Sequence, residues 1–174
     1  MEINGFKKII DKKEIEEKII ELADEINDTY KDRQLLLIGV LKGSFIFLAD
    51  LIRELDLKTE VDFVELSSYG SEKESSGKIN MVKGLSIEIK GKDVLIVEDI
   101  IDTGNTMAFL LDFLKSKNPK SVRICALTDK PSRREVEVPI DFLGFIVPNK
   151  FIVGYGIDYD QKYRNLKSIF YVED

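Results

Sequence analysis

Two adjacent carboxylates, Glu98 and Asp99, close the apolar run Val94-Leu95-Ile96-Val97, and the small residues Asp102, Thr103, Gly104, Asn105 and Thr106 follow shortly after. Three of the four residues in the run are β-branched, which suits a strand buried on both faces. Met107, Leu110, Leu111 and Leu114 then recur at helical spacing. The order is therefore buried strand, acidic edge, small-residue loop, helix. A helix start of this kind offers unpaired N–H groups and the positive end of the helix dipole, which suits a phosphate. Glu98 and Asp99 repel phosphate, so they serve something beside it, either sugar hydroxyls or a metal ion. A ligand with both a phosphate and a diol, such as a phosphorylated sugar, satisfies both halves.

Missing residue types narrow the chemistry. The 174 residues include no histidine, which removes the usual general base and the usual zinc ligand. Acid–base work falls to carboxylates, lysines or tyrosines. Cys125 is the single cysteine; it lies in the apolar run Val122–Leu127 and reads as a small buried hydrophobe. A hydrophobic content of 44% and a charged content of 33% describe a soluble globular protein, and the length fits one domain over residues 1–174. The net charge of -6, with no basic block, argues against a nucleic-acid partner. No apolar run approaches the roughly 18 residues of a membrane span, and the N-terminus is charged from Glu2 onward. The expectation is no membrane partner, no signal peptide and a cytoplasmic location.

The elements that must position these residues can be read in order. Residues 1–10 read as a short lead-in. Asp11 and Glu14 form a capping box for a helix whose inner face is Ile15, Ile19, Leu22, Ile26 and Tyr30, ending near Lys31. Leu35–Leu41 is a second buried strand, ending at Lys42-Gly43-Ser44; a helix follows to about Leu55, with Phe45, Leu48, Leu51, Ile52 and Leu55 inward. The Lys42-Gly43 pair can bring a cation and backbone amides to an anion, although an ordinary strand-to-helix turn explains it equally well. Val61–Leu66 reads as a strand, residues 67–78 as a polar loop, and Ile79–Leu85 and Ile87–Ile89 as short strands. Asn118-Pro119 stops the helix at 105–117, Val122–Leu127 makes another buried strand ending at Thr128-Asp129-Lys130-Pro131, and Ile140–Val147 and Phe151–Tyr155 add two more.

Strands alternating with helices imply an α/β fold: a mostly parallel twisted sheet flanked by helices, joined by right-handed crossovers. The loops at the strands' carboxyl ends then share one edge, where ligands bind. Lys42-Gly43, Glu98–Thr106 and Asp129-Lys130 meet there, gathering lysines, a carboxylate pair, a third carboxylate and a phosphate cradle. Two other readings fail. A P-loop ATPase needs a Gly-x-x-x-x-Gly-Lys-Ser/Thr loop, and Gly91-Lys92 is followed by Asp93. A phospho-receiver domain needs a phosphate-accepting Asp at an intermediate strand end, whereas Val122–Leu127 leads only to Asp129, next to the lysine.

At this point the sequence resembles the type I phosphoribosyltransferases, and within them the bacterial hypoxanthine-guanine enzymes. Val97–Thr106 matches their phosphoribosyl-diphosphate motif, and Leu41-Lys42-Gly43, Ser68-Tyr69-Gly70, Asp129-Lys130-Pro131 and Lys150–Asp158 match the other loops in order. The resemblance implies that fold with a small hood region, purine salvage, and transfer of a phosphoribosyl group from phosphoribosyl diphosphate to a 6-oxopurine. It implies that Asp102 is the catalytic base and that Glu98 and Asp99 hold the ribose hydroxyls. Asp102, Thr103, Gly104, Asn105 and Thr106 cradle the 5-phosphate in this likeness, while Lys42, Gly43 and Arg164 serve the pyrophosphate. Ser68 and Tyr69 open a lid that runs to Lys78. Lys130 donates to the 6-oxo group, Phe151 stacks on the purine and Ile152 contacts it through its backbone. It further implies Mg2+ held by Asp158 with Glu98 and Asp99, a Leu41–Lys42 peptide that can turn cis, and a homodimer or homotetramer. A sister enzyme for xanthine, or an RNA-binding regulator on the same fold, are the alternatives; Asp102, Lys130 and the acidic balance disfavour the second.

Overall fold

The computed structural model describes residues 5–68 and 79–172. In chain order the elements are β1 (Phe6–Ile10), α1 (Lys12–Thr29), β2 (Gln34–Leu41), α2 (Phe45–Glu54), β3 (Lys58–Ser68), β4 (Ile79–Lys83), β5 (Asp93–Ile101), α3 (Asn105–Lys115), β6 (Ser121–Asp129), β7 (Phe142–Ile146), β8 (Ile152–Val153) and β9 (Ile169–Val172). The main sheet has the order β4-β3-β2-β5-β6-β7. It is parallel from β3 to β7, and β4 pairs antiparallel with β3 at one edge. A second, antiparallel sheet of β1-β9-β8 forms the hood beside it.

The apolar runs dictate this layering. Successive side chains on a strand point to opposite faces, so a run that is apolar at every position needs cover on both. Leu35, Leu37, Leu95, Val97, Cys125 and Leu127 face α1 and α2, packing with Ile15, Leu22, Phe47 and Leu51. Leu36, Ile38, Val94, Ile96, Ile124 and Ala126 face the other way, onto Met107, Leu110 and Leu114 of α3. Helix α1 begins as expected: Asp11 accepts from the Lys13 amide, and the Glu14 carboxylate accepts from the Asp11 amide. Among the described residues no helix is long and apolar enough to cross a membrane.

Several boundaries differ from the sequence reading. The supposed lead-in contains β1, which pairs with β9 near the other end of the chain, a partner that local pattern does not reveal. Ile87–Ile89 is not a strand: the Ser86 and Ile87 amides donate to the Asp62 carboxylate at 2.6 and 3.0 Å, and Lys92 N–H donates back to Ile89 O at 3.0 Å, so the segment is spent on turns. On α2 the buried stripe is Phe47, Leu48 and Leu51, leaving Phe45 exposed. The strand expected at Phe151–Tyr155 shortens to β8, because Gly154 and Tyr155 have positive φ and turn the chain. Strand β5 runs on to Ile101, so Glu98 and Asp99 lie within the strand.

Candidate active site

The carboxyl edge of β2, β5 and β6 is assembled by close backbone approaches. The Leu41–Lys42 peptide is cis. Gly43 follows, and a Cβ there would lie 2.0 Å from Asp99 Oδ2, so only glycine lets this loop rest on that carboxylate. Gly156, at φ +99°, packs in turn on Gly43, with its own added Cβ falling 2.1 Å from Gly43 O. The 154–158 loop, the Lys42-Gly43 loop and the end of β5 are thereby interlocked. Arg164 ties down the outermost layer, donating to Gly156 O at 2.8 Å and pairing with Asp158 at 2.7 Å.

Alternation along β5 carries Glu98 and Asp99 to different neighbours. Asp99 turns toward Gly43 and is buried, whereas Glu98 faces a small cavity with Thr103, Thr106 and Met107. Burial raises the Asp99 carboxyl above the ordinary aspartate range, against hydrogen bonding from its neighbours and the nearby Arg164 charge. Burial also pushes Glu98 well above the glutamate range, and the adjacent Asp99 charge adds to it. Glu98 Oε2 is buried without a hydrogen-bond partner among the described residues, an orphan acceptor suited to a hydroxyl donor from outside the protein.

The turn after β5 leads into the start of α3. Gly104, at φ +89°, is the N-cap residue and brings no capping side chain, while the Asn105 N–H donates to Thr103 Oγ1 at 3.4 Å. Thr103, Gly104 and Thr106 line the 120 Å³ cavity together with Glu98 and Asp102. A Cβ on Gly104 would lie 2.1 Å from Val136 O, because the segment after β6 runs directly across this turn.

On the other side of Asp102 a cavity of 670 Å³ opens between the sheet edge and the hood, lined by Ile100, Asp102, Lys130, Arg133, Phe151, Ile152 and Tyr159 among others. Lys130 is buried, with Nζ 3.9 Å from Asp102 Oδ2, and Arg133 Nε lies 3.4 Å from Asp102 Oδ1. Burial lowers the Lys130 ammonium below the ordinary lysine range, and the Asp102 charge partly restores it. Phe151 is 52% exposed and meets Tyr159 edge to face, with ring centroids 5.3 Å apart. A half-exposed aromatic beside a buried cation and a carboxylate is the arrangement expected for a flat, polar-edged heterocycle.

The residues singled out from sequence thus fall into three connected groups: Lys42, Gly43, Asp99, Asp158 and Arg164; Glu98 with Asp102, Thr103, Gly104, Asn105 and Thr106; and Asp102 with Lys130, Phe151 and Ile152. The Asp129 carboxylate at the end of β6 is engaged by Arg134. Among the described residues no three acidic, cysteine or histidine side chains are gathered as a metal site. Ser68 ends β3 opposite Ile79, while Tyr69 and residues 71–78 lie outside the described residues. Arg133, Arg134, Asn149, Lys150 and Tyr159 were not singled out; the run Lys130-Pro131-Ser132-Arg133-Arg134 is the sequence signal that could have flagged the two arginines.

Residues 6–160 match the family model of the phosphoribosyl transferase domain. The hypoxanthine phosphoribosyltransferase of Escherichia coli is 51% identical over 163 residues, covering 92% of each chain. The hypoxanthine-guanine phosphoribosyltransferase of Bacillus subtilis is 45% identical, covering 94% of this chain and 91% of its own. The solved hypoxanthine phosphoribosyltransferase of Trypanosoma cruzi, in complex with its product IMP, superposes with a TM-score of 0.92 at 38% identity, covering 99% of this chain and 97% of that one. The chain therefore belongs to the phosphoribosyltransferase family, among its hypoxanthine and hypoxanthine-guanine members.

Proposed function

We propose that this chain transfers the 5-phosphoribosyl group from phosphoribosyl diphosphate to hypoxanthine or guanine, giving IMP or GMP and pyrophosphate, as a step of purine salvage. One observation carries the reading: Asp102 lines both the 120 Å³ cavity at the start of α3 and the 670 Å³ cavity that holds Lys130 and Phe151. A nucleotide has its phosphate at one end, its base at the other and the glycosidic bond between them. A proton acceptor at the junction of a phosphate site and a base site is where that bond must be made.

Amides of Asp102–Thr106, with the Thr103 and Thr106 hydroxyls, hold the 5-phosphate at the start of α3. Asn105 takes part through its backbone amide, its side-chain amide being held by Glu135. Glu98 and Asp99 accept hydrogen bonds from the ribose hydroxyls, and their charge favours the cationic sugar that develops as the bond to pyrophosphate breaks. Lys42 and Arg164 neutralise the leaving pyrophosphate, and the Gly43 amide faces it. Asp102 takes the proton from the imidazole-ring nitrogen of the purine as the new bond forms. Lys130 donates to the 6-oxo group, which an adenine amino group cannot accept. Phe151 stacks on the ring, and Ile152 meets its edge through the backbone.

The carboxylates also fit a hard divalent cation, since Asp158, Glu98 and Asp99 supply oxygen donors only and Glu98 Oε2 lacks a partner among the described residues. They do not enclose it, as befits Mg2+, which keeps several waters and binds through one or two carboxylates plus substrate oxygens. Asp158 would be its principal protein ligand, and the ion when bound would supply charge neutralisation to the diphosphate. The reading also includes a single catalytic domain over residues 1–174, a cytoplasmic location and a homodimer or homotetramer.

The test is a base panel of hypoxanthine, guanine, xanthine, adenine and uracil, each with phosphoribosyl diphosphate and Mg2+. Nucleotide formation from hypoxanthine and guanine supports the reading. Turnover of xanthine alone moves the chain to a sister enzyme, and turnover of none of the five contradicts the assignment.

A further inference from the structure

The segment after β6 does more than carry Lys130. Arg134 turns inward, its side chain 7% exposed, and its guanidinium reaches two acceptors on different loops. Nη1 donates to the backbone carbonyl of Asp102 at 2.8 Å, and Nη2 pairs with the Asp129 carboxylate. The next two residues extend the clamp: the Glu135 and Val136 amides both donate to Thr103 O, at 2.9 and 3.0 Å. Asn105 Nδ2 donates to the Glu135 carboxylate at 2.7 Å. Gly104 lets the strap lie this close, its position for a Cβ being filled by Val136 O at 2.1 Å and Arg134 Cδ at 3.1 Å.

The consequence follows from peptide geometry. In a planar trans peptide the carbonyl and the following N–H point in opposite directions. The peptides after Asp102 and Thr103 are trans, since Leu41–Lys42 is the one cis bond among the described residues. Holding Asp102 O toward Arg134 turns the Thr103 N–H the other way, and holding Thr103 O toward the strap does the same for the Gly104 N–H. Backbone donors aligned in this way form an anion-binding concavity. Asp129 balances the charge of Arg134 and fixes one arm of its fork, leaving the other arm committed to the carbonyl.

We infer that Arg134 is a positioning residue for phosphate recognition: by bridging Asp129 to Asp102 O it sets the peptide orientation of the 5-phosphate cradle before the substrate arrives. It is buried behind the turn and touches no substrate atom, so it acts through the amides of Thr103 and Gly104. The inference rests on the proposed reading of residues 102–106 as the phosphate site and adds to it a residue on another loop.

The measurement is the phosphate contribution to binding, read as the ratio of inosine to IMP dissociation constants by calorimetry. It is made on the intact chain for the wild type, Arg134→Met, Arg134→Lys and Asp129→Asn, with melting temperatures alongside. In Arg134→Met the IMP affinity falls about tenfold or more while inosine affinity is held, because a small misplacement of binding groups has effects of that order. Arg134→Lys, with a cation but no fork, falls between, and Asp129→Asn loses less. A loss of stability alone weakens both ligands together and leaves the ratio untouched, so an unchanged ratio in Arg134→Met and Arg134→Lys overturns the inference. Should Arg134→Met fail to fold, the ratio in Arg134→Lys decides: a shrunken ratio supports the clamp and a wild-type ratio overturns it. A wild-type protein that binds IMP no better than inosine fails at the earlier step, overturning the phosphate site and the inference with it.

Discussion

Gly43→Ala is the smallest substitution that probes how the catalytic edge is built. It adds one methyl group and no charge. That methyl would lie 2.0 Å from Asp99 Oδ2 and 2.4 Å from its Cγ, whereas an ordinary contact begins near 3.4 Å. The Asp99 carboxylate or the Lys42–Gly43 backbone must therefore retreat by about 1.4 Å, with overpacking of this kind typically costing about 1–3 kcal/mol. On the proposed reading, retreat of Asp99 would spoil its hold on the ribose, and retreat of the loop would displace Lys42 from the pyrophosphate. Since Gly156 packs on Gly43 O, the displacement also reaches the loop that carries Asp158. A misplacement of about 1 Å can cost roughly a hundredfold in rate. Steady-state kinetics with hypoxanthine and phosphoribosyl diphosphate should show kcat/KM for the diphosphate falling by about that factor. Thermal melting run in parallel should show a smaller, separable loss. A Gly43→Ala enzyme within twofold of wild type on both substrates would refute the claim that Asp99 and the Lys42 loop are held in contact for function.

Three further outcomes follow from the same geometry. Asp102→Asn keeps the shape of the junction between the two cavities but removes the proton acceptor, so kcat should drop by about 10²–10⁴ with little change in the dissociation constant for phosphoribosyl diphosphate; near-normal turnover ends the assignment. Lys130→Ala removes a buried donor and should lower kcat/KM for hypoxanthine and guanine by roughly ten- to a hundredfold, the worth of one charged hydrogen bond; unchanged base affinity would give the lysine another job. Glu98→Gln separates stability from function. Because the folded state raises the Glu98 carboxyl well above the ordinary 4.5, the native protein holds that proton more tightly than the unfolded chain, and stability present below pH 4.5 is lost as pH rises through the folded value. The variant should therefore melt higher than wild type at pH 8, by on the order of 2–4 °C for each kcal/mol of relief, with the difference closing toward pH 4. It should bind the ribose moiety less well, and a melting difference independent of pH would contradict the buried-charge account.

Much of this architecture is legible in the chain because its strongest signals are local. The unbroken apolar runs of β2, β5 and β6 announce strands covered on both faces, and Asp11 with Glu14 announces the start of α1. The transferase motif is likewise contiguous, so Asp102–Thr106 could be placed at a helix start before any coordinates. What the sequence conceals is long-range pairing. Phe6–Ile10 reads as a lead-in with two lysines, and only its pairing with Ile169–Val172 makes it a strand. Ile87–Ile89 has a strand's composition, but Asp62 takes up the amide of Ile87 and that of Ser86 just before it. Arg133 and Arg134 are neighbours of the same type, yet one reaches into the base cavity beside Asp102 and the other turns inward to bind Asp129. Nothing in their spacing distinguishes them. The partner of Asp129 is likewise visible only in three dimensions. Tyr155, whose hydroxyl donates to Asp50 on α2, ties the 154–158 loop to that helix through a contact spanning most of the chain.

If one nucleotide spans the two cavities that meet at Asp102, a crystal structure with IMP bound will show it. The phosphate is expected on the amides of Thr103–Thr106, the ribose hydroxyls within hydrogen-bond distance of Glu98 and Asp99, and the purine between Phe151 and the sheet edge with its 6-oxo group on Lys130. IMP bound with its phosphate away from the start of α3, or with its ribose far from both carboxylates, would contradict it.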